Sequence, residues 1–438
     1  MSGYGKRGNI LVIGGGISGL TAAIEAAEAG AHVTVVEKES FLGGRVARMN
    51  LYFPKMCPPS CGLEINMRRV KTNPRIRTLT LSTVESITGG PGNYKATISK
   101  TPRFVNSKCT ICGDCVEVCP ADRPDPINLG LSTTKAIYLP YEMAYPSRFA
   151  IDEAACLGAD ECGKCVEACP YGAIDLGMAS EKEELEVDAV IWATGWDPPD
   201  ATKFEGLGFG TFPNVVNNVT MERLSALNGP TGGKIQRPSD GEAPKSIAFV
   251  QCAGSRDENY YKHCSGVCCM ASLKQARYVR EQNPEAQIFI FYIDIRTPGR
   301  LEDFFAATKE DEKLHLVKGK VANITEDVST GTVTVEAEDA LSGQKVAQAV
   351  DMVVLATGMI PNGIGDTQVE GGVELDEHGF IHIPDPMTAP VDTTVPGLLV
   401  AGYAAGPQDI PDSVVGASAA AGRIAELLGV PGRRERHR

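Results

Sequence analysis

The apolar, largely β-branched run Asn9–Ile13 passes straight into Gly14-Gly15-Gly16-Ile17-Ser18-Gly19, and nothing else in the chain restricts its fold so tightly. The next residues, Leu20–Ala29, are alanine-rich and helix-forming, and Gly30 is placed to end the helix. His32–Val36 reads as a second strand and delivers Glu37, 18 positions beyond Gly19. This spacing predicts a βαβ unit that binds a dinucleotide. Gly14 permits the tight turn, Gly16 lets the backbone approach a pyrophosphate, and Gly19 lets helix pack against strand. The helix start around Ser18 offers free N–H groups and the positive end of a dipole to the phosphates. Glu37, followed by Lys38, is the expected acceptor for ribose hydroxyls.

Residues farther along narrow the dinucleotide to FAD. Leu42-Gly43-Gly44-Arg45 resembles the Gly-Gly-Arg signature of flavoproteins built from two dinucleotide-binding domains. Ala193-Thr194-Gly195 and Ala356-Thr357-Gly358 resemble the crossovers between the FAD and pyridine-nucleotide domains of that class. Met359-Ile360-Pro361-Asn362 continues the second of them in the usual wording. Gly397–Gly402 resembles the strand that carries a Gly-Asp pair beside the flavin's ribityl phosphate, but Tyr403 stands where the aspartate would be. That polar contact therefore drops out of the expectation. Asp409–Val414 opens a helix whose start can stabilise negative charge at the flavin. The resemblance implies FAD contacts at Gly43, Gly44, Arg45, Ala193, Thr194, Gly195, Gly358, Gly402, Ser413 and Val414.

Fourteen cysteines stand in 438 residues, and their spacing is more telling than their number. Cys109-x2-Cys112-x2-Cys115-x3-Cys119-Pro120 has the spacing of a bacterial ferredoxin run. Cys156-x5-Cys162-x2-Cys165-x3-Cys169-Pro170 repeats it with a first gap three residues longer. Two-cluster ferredoxins share ligands crosswise. One [4Fe–4S] cluster is thus expected at Cys109, Cys112, Cys115 and Cys169, and a second at Cys156, Cys162, Cys165 and Cys119. Zinc on four cysteines is the weaker account, because both runs end in Cys-Pro. Disulfides would suit an exported chain, but no signal-peptide pattern follows Ile10–Ile13. No apolar run approaches the ~20 residues of a membrane span. The expectation is a cytoplasmic chain with no span of its own. A net charge of −13 argues against non-specific attraction to nucleic acid, and the basic Arg433–Arg438 reads as a short frayed tail.

A second α/β unit begins at Ser246–Val250 and continues through a helix at Met270–Gln282 and a strand at Gln287–Ile293. A pyridine-nucleotide site would need a glycine-rich turn after the first of these strands. The chain has instead Gln251-Cys252-Ala253-Gly254-Ser255-Arg256, and then His263-Cys264-Ser265-Gly266-Val267-Cys268-Cys269-Met270. Spacing alone leaves Cys252, Cys264, Cys268 and Cys269 open between a further cluster and buried structural or redox thiols. Cys57-x3-Cys61 has no further ligands nearby and reads as free or structural thiols.

The stretch Gln251–Gln275 closely resembles the A subunits of heterodisulfide reductases. The resemblance implies a third, atypical [4Fe–4S] cluster on Cys252, Cys264, Cys268 and Cys269 beside FAD, and it places a lysine near flavin N5 at Lys274. By residue pattern alone, Lys274 would pass for an ordinary helix-surface residue. Within that family, Phe53–Asn66, Lys135–Pro140 and Gly232–Gly241 are most similar to A subunits of the quinone-interacting membrane-bound oxidoreductase complex. That similarity implies a subunit peripheral to the inner face of the membrane, with two partners: a second flavin/iron–sulfur subunit, and a haem-bearing membrane subunit. It also implies electron exchange between menaquinone and adenylylsulfate reductase. The rival within the family is an electron-bifurcating heterodisulfide reductase subunit. A stand-alone NAD(P)H-dependent disulfide reductase is disfavoured, because both the nicotinamide turn and a flavin-side Cys-x4-Cys pair are missing. The expected fold is α/β: a Rossmann-like flavoprotein of two dinucleotide-binding domains with an inserted two-cluster ferredoxin-like domain. Its expected parts are FAD-binding segments at 1–104, 181–244 and 359–438, the insert at 105–180, and a degenerate nicotinamide-type unit at 245–358.

Overall fold

A computed structural model describes residues 8–429, so the basic tail Arg433–Arg438 lies outside the described residues. Asn9–Ile13 is the middle strand of a five-stranded sheet ordered Leu398–Val400, Ala189–Trp192, Asn9–Ile13, His32–Glu37 and Ile76–Thr80, parallel throughout. Both faces are covered, and the strands read as near-continuous apolar runs for that reason. Helices Ile17–Ala29 and Ile410–Leu427 share one face. Ala22, Ala23, Ala26 and Ala27 of the first meet Ala417, Ala420 and Ala421 of the second in one buried cluster. Small side chains there let the two backbones approach closely.

A second parallel sheet runs Val215–Asn217, Met352–Leu355, Ser246–Val250, Gln287–Tyr292 and Leu314–Lys318. Helix Cys268–Gln282 packs on it through Met270, Leu273, Ala276 and Val279. An antiparallel meander, Val321–Asp327, Thr332–Glu338 and Lys345–Val350, flanks this unit, and Glu181–Val187, Asn93–Lys100 and Ser82–Gly90 form its counterpart on the first.

The two Ala-Thr-Gly turns hold the units together. Trp196–Asp197 pairs antiparallel with Ile360–Pro361, and Asn362 donates from its side chain to the Thr194 carbonyl at 3.0 Å. The Thr194 hydroxyl donates to Gly363 O at 2.7 Å.

The ferredoxin-like insert has only short strands and helices of four or five residues around a small core that includes Phe104, Ile137, Phe149, Cys115 and Cys165. Two buried arginines fasten it. Arg103 donates to Ser40 O, to Thr80 Oγ1 at 2.7 Å and to Phe149 O at 3.4 Å. Arg223, on helix Asn218–Ser225, reaches Asn128 Oδ1 at 3.0 Å, Arg48 O at 2.9 Å and Asn228 O at 2.9 Å.

One element departs from the sequence expectation: the helix expected from Met270 begins at Cys268. Residues 51–101 contain a helix, Ser60–Thr72, as well as strands. The last helix runs Ile410–Leu427, with the Asp409 side chain accepting from Asp412 N–H at 2.9 Å. No helix among the described residues is long and apolar enough to cross a membrane.

Candidate functional site

The carboxyl ends of both parallel sheets face one cavity of ≈ 810 Å³. That is where open α/β sheets bind ligands. Its wall takes Gly14, Gly16 and Ser18 from the first turn, Glu37 and Lys38 from the second strand, and Gly44 and Arg45 from the Gly-Gly-Arg stretch. Ala193, Thr194, Gly195, Gly358 and Ser413 complete the expected set that lines it. Gly19, Gly43, Gly402 and Val414 are not among the lining residues. Gly19 and Gly402 have packing roles instead: a Cβ on Gly19 would collide with Gly14 O, and one on Gly402 with the Ser18 hydroxyl.

The cavity suits FAD on its own evidence. A Cβ on Gly16 would meet only the Gly44 Cα, at 4.0 Å, so backbone lies bare toward the cavity where a pyrophosphate must come close. The buried Glu37 carboxylate accepts from Gly15 N–H at 2.7 Å and Glu39 N–H at 2.8 Å, and burial raises its pKa. Each of its oxygens keeps a lone pair for a ribose hydroxyl. Gln408 Oε1, buried and without a protein partner, belongs to a residue of the same wall, an acceptor that a ligand N–H would satisfy. Arg45 pairs with Asp197, donates to Trp196 O at 2.9 Å and lies 5.1 Å over the Trp196 ring.

Lys274 is buried (2 % exposed), which corrects the surface reading of its pattern. Its ammonium is 2.8 Å from Glu222 Oε1 and 2.7 Å from Leu51 O, and both Lys274 and Glu222 line the cavity. Asn50 N–H and the Gln275 amide also donate to Glu222, at 3.0 and 2.7 Å. Sequence reasoning missed Glu222, Gln275, Trp196, Asp197 and Gln408. Glu222 lies 52 positions from Lys274, and only the fold joins them.

In the insert, Cys109, Cys112, Cys115 and Cys169 line one small enclosed cavity. Cys165 interacts electrostatically with Cys156, Cys119 and Cys162, the other three sulfurs of the second expected set. Burial, then the neighbouring sulfurs, push Cys115 up to about 12. Such sulfurs become thiolates only when cationic iron sits among them. No three His, Cys, Asp or Glu side chains among the described residues close on one point as a single ion requires. A cube, in contrast, spreads its thiolates over separate irons.

Cys252, Cys264, Cys268 and Cys269 also line one enclosed cavity. Cys264 accepts from Gly266 N–H at 3.4 Å, and the Arg256 guanidinium lies within electrostatic reach of Cys252. Both favour thiolate sulfur. Burial raises the Cys252, Cys268 and Cys269 thiols, the last to about 11. Cys268 belongs to both this cavity and the large one. Cys57 and Cys61 are exposed and line neither.

Comparisons with known proteins agree with this layout. Residues 9–64 match the FAD dependent oxidoreductase family model and residues 148–174 a 4Fe-4S binding domain. The second iron-sulfur A subunit of CoB--CoM heterodisulfide reductase from Methanopyrus kandleri is 42% identical over 422 residues, 95% of this chain and 64% of that protein. Its counterpart from Methanocaldococcus jannaschii is 39% identical over 421 residues, 94% and 63%. The chain spans just under two thirds of the length of these curated relatives. T. acidophilum thioredoxin reductase superposes with a TM-score of 0.52 at 15% identity, covering 97% of this chain and 99% of that one, which establishes a shared fold. The chain thus has an α/β fold with an FAD-dependent oxidoreductase domain and a 4Fe–4S ferredoxin-like domain, and its homologues are A subunits of heterodisulfide reductases.

Proposed function

We propose that this chain is the FAD- and cluster-bearing electron-transfer subunit of a heterodisulfide-reductase-type complex, with three [4Fe–4S] clusters per FAD. One observation carries the reading. Cys268 is a wall of both cavities, and its helix, Cys268–Gln282, turns Ala271, Lys274 and Gln275 toward the larger one. A single rigid element thus holds a cluster ligand and flavin contacts at fixed separation. Bound FAD exchanges electrons in pairs or singly, whereas a cube passes them one at a time.

The chain's own residues do the placing. Gly16 and Gly44 admit the pyrophosphate, Glu37 takes the ribose, and the Lys274–Glu222 pair sets a buried, hydrogen-bonded cation in the wall. Among the described residues, no cysteine other than Cys268 lines the large cavity to act as a disulfide-exchanging thiol, so disulfide chemistry belongs on a partner.

The quinone-linked reading drawn from Phe53–Asn66, Lys135–Pro140 and Gly232–Gly241 rests on those stretches alone. The relatives are named for heterodisulfide reductases, one of them an H(2):CoB-CoM heterodisulfide,ferredoxin reductase from Methanothermobacter marburgensis. On that footing the partner subunits are of the heterodisulfide reductase kind, and FAD divides electron pairs between two acceptors.

Anaerobic reconstitution followed by iron, sulfide and flavin assay tests it: about twelve irons and about one FAD per chain are expected, and about eight irons would remove the third cluster. A redox titration of the same sample should bleach the flavin in one two-electron wave. Two well-separated one-electron waves would return the assignment to the quinone-linked alternative.

A further inference from the structure

The four sulfurs around the smaller cysteine cavity of the second unit do not have the same surroundings. Cys264 accepts from the Gly266 backbone N–H at 3.4 Å. A backbone donor is fixed by the fold. Cys252 shares the cavity wall with a side-chain cation, the guanidinium of Arg256, close enough for the two to interact electrostatically. Both residues occupy the left-handed region, Cys252 at φ 56 and Arg256 at φ 53, so the loop leaving strand Ser246–Val250 is bent at each of them. Non-glycine residues persist there only where the surroundings insist on it.

The guanidinium is anchored from its other side. Arg256 forms an ion pair with Asp294, whose backbone carbonyl lies 3.8 Å from the Cys269 sulfur. Arg296 also reaches the Asp294 carboxylate, at 3.4 Å. The charged side chains lining the cavity are therefore Arg256, Arg296 and Asp294, and Arg256 interacts electrostatically with Cys252. The Arg256 side chain is 23% exposed and that of Asp294 48%, so the arginine is the better shielded of the pair and its charge is the less screened.

We propose that Arg256 is a positioning residue that raises the reduction potential of the cluster on Cys252, Cys264, Cys268 and Cys269, and that Asp294 both holds it there and moderates its charge. This rests on the third-cluster reading above. Reduction adds one electron to the cluster and its sulfurs. A cation in the cavity wall beside those sulfurs stabilises the reduced form, and a nearby carboxylate opposes it. The device sets how readily the cluster takes an electron from its neighbour across Cys268, without altering any ligand.

The test is an EPR-monitored redox titration of the reconstituted full-length protein, with iron counted first in every sample. Arg256→Gln should keep about twelve irons and lower the reduced-to-oxidised ratio of the third cluster about tenfold at a given potential, a shift of about 59 mV for one electron. Arg256→Lys should recover part of that shift. Asp294→Asn should move the midpoint the opposite way, by less. The two insert clusters serve as internal controls and should stay put. An unchanged midpoint in Arg256→Gln, or downward shifts in both Arg256→Gln and Asp294→Asn, would overturn the proposal. A fall to about eight irons in Arg256→Gln alone would make Arg256 structural and overturn it too, while about eight irons already in the unaltered protein would sink the third cluster itself.

Discussion

The two α/β units share a scaffold and differ at one turn. Each is a five-stranded parallel sheet with its leading strand, Asn9–Ile13 or Ser246–Val250, in the middle. In the first, only residues 14–16 separate that strand from its helix; in the second, residues 251–267 do. Three residues, all glycine, make a bare turn that admits a pyrophosphate. The longer loop keeps one glycine near the strand, Gly254 at φ 75, where a Cβ would run into the Phe204 ring, and it brings in Cys252 and Cys264 before the helix starts at Cys268. The lesson is that the sheet decides where a ligand sits and the turn decides which ligand. A fold shared with thioredoxin reductases therefore says nothing about nicotinamide use by the second unit.

The sharpest way to break this comparison is to damage each turn separately. Gly16→Val places its side chain in open space, so the fold should survive while the pyrophosphate position is filled. FAD should fall from about one per chain to near zero, with about twelve irons retained. Cys268→Ser should do the reverse, keeping FAD and losing about four irons. Flavin absorbance and iron assay on both variants decide the matter. If either variant lost both cofactors, the two sites would be one cooperative unit rather than two turns on independent scaffolds.

Much of this is legible because backbone chemistry at a turn is written locally. Gly14 to Gly19 and the two Cys-Pro-terminated runs each specify their ligand within a few residues. The crosswise sharing of Cys169 and Cys119 is what the ferredoxin spacing leads one to expect, and Cys169 lines one cavity with Cys109, Cys112 and Cys115. Less can be read where meaning depends on distant residues. Lys274 carries no local mark of burial, since its partners Glu222 and Leu51 lie on other elements. Helix Ser60–Thr72 is hidden because only Leu63, Met67 and Val70 of its thirteen residues are buried, a thin apolar stripe between polar neighbours. The start of helix Cys268–Gln282 escapes notice because two cysteines that look like loop ligands form its first turn.

A smaller effect probes how the units are kept in register. Arg223 is 1% exposed and bonds at once to Asn128 in the insert, Arg48 beside the first unit's cavity wall, and Asn228 near its own helix. Arg223→Ala leaves the buried Asn128 amide oxygen and the part-buried Arg48 carbonyl without this donor and should cost about 3 kcal/mol. Chemical denaturation followed by Trp fluorescence should show the midpoint fall, and hydrogen exchange should show the loss concentrated where the insert meets the two units. A uniform loss of protection, or none, would mean the insert is held chiefly by Arg103 and its apolar core.

The smallest effect is expected at Tyr403, which stands where related flavoproteins place an aspartate and lines the larger cavity together with Cys268. Its ring packs with Phe380 at 5.5 Å and Trp196 at 6.3 Å, and its hydroxyl donates to Met359 O at 3.1 Å. That carbonyl also has His263 Nε2 at 3.0 Å, so it is not orphaned when the hydroxyl goes. Burial raises the phenol pKa, and the interaction with Ser265, which lowers it, does not cancel that, so Tyr403 is a neutral group at any working pH. An aspartate there would add a negative charge to a wall shared with buried sulfurs, and the tyrosine avoids it. Tyr403→Phe should therefore cost only about 1 kcal/mol and leave flavin and iron contents unchanged. Tyr403→Asp, a nearly complete exchange of ring for charge, should be far worse and should lower iron retention at the Cys252–Cys269 site before it affects the insert. Equal tolerance of Phe and Asp would show that the absence of charge between the two cavities is incidental.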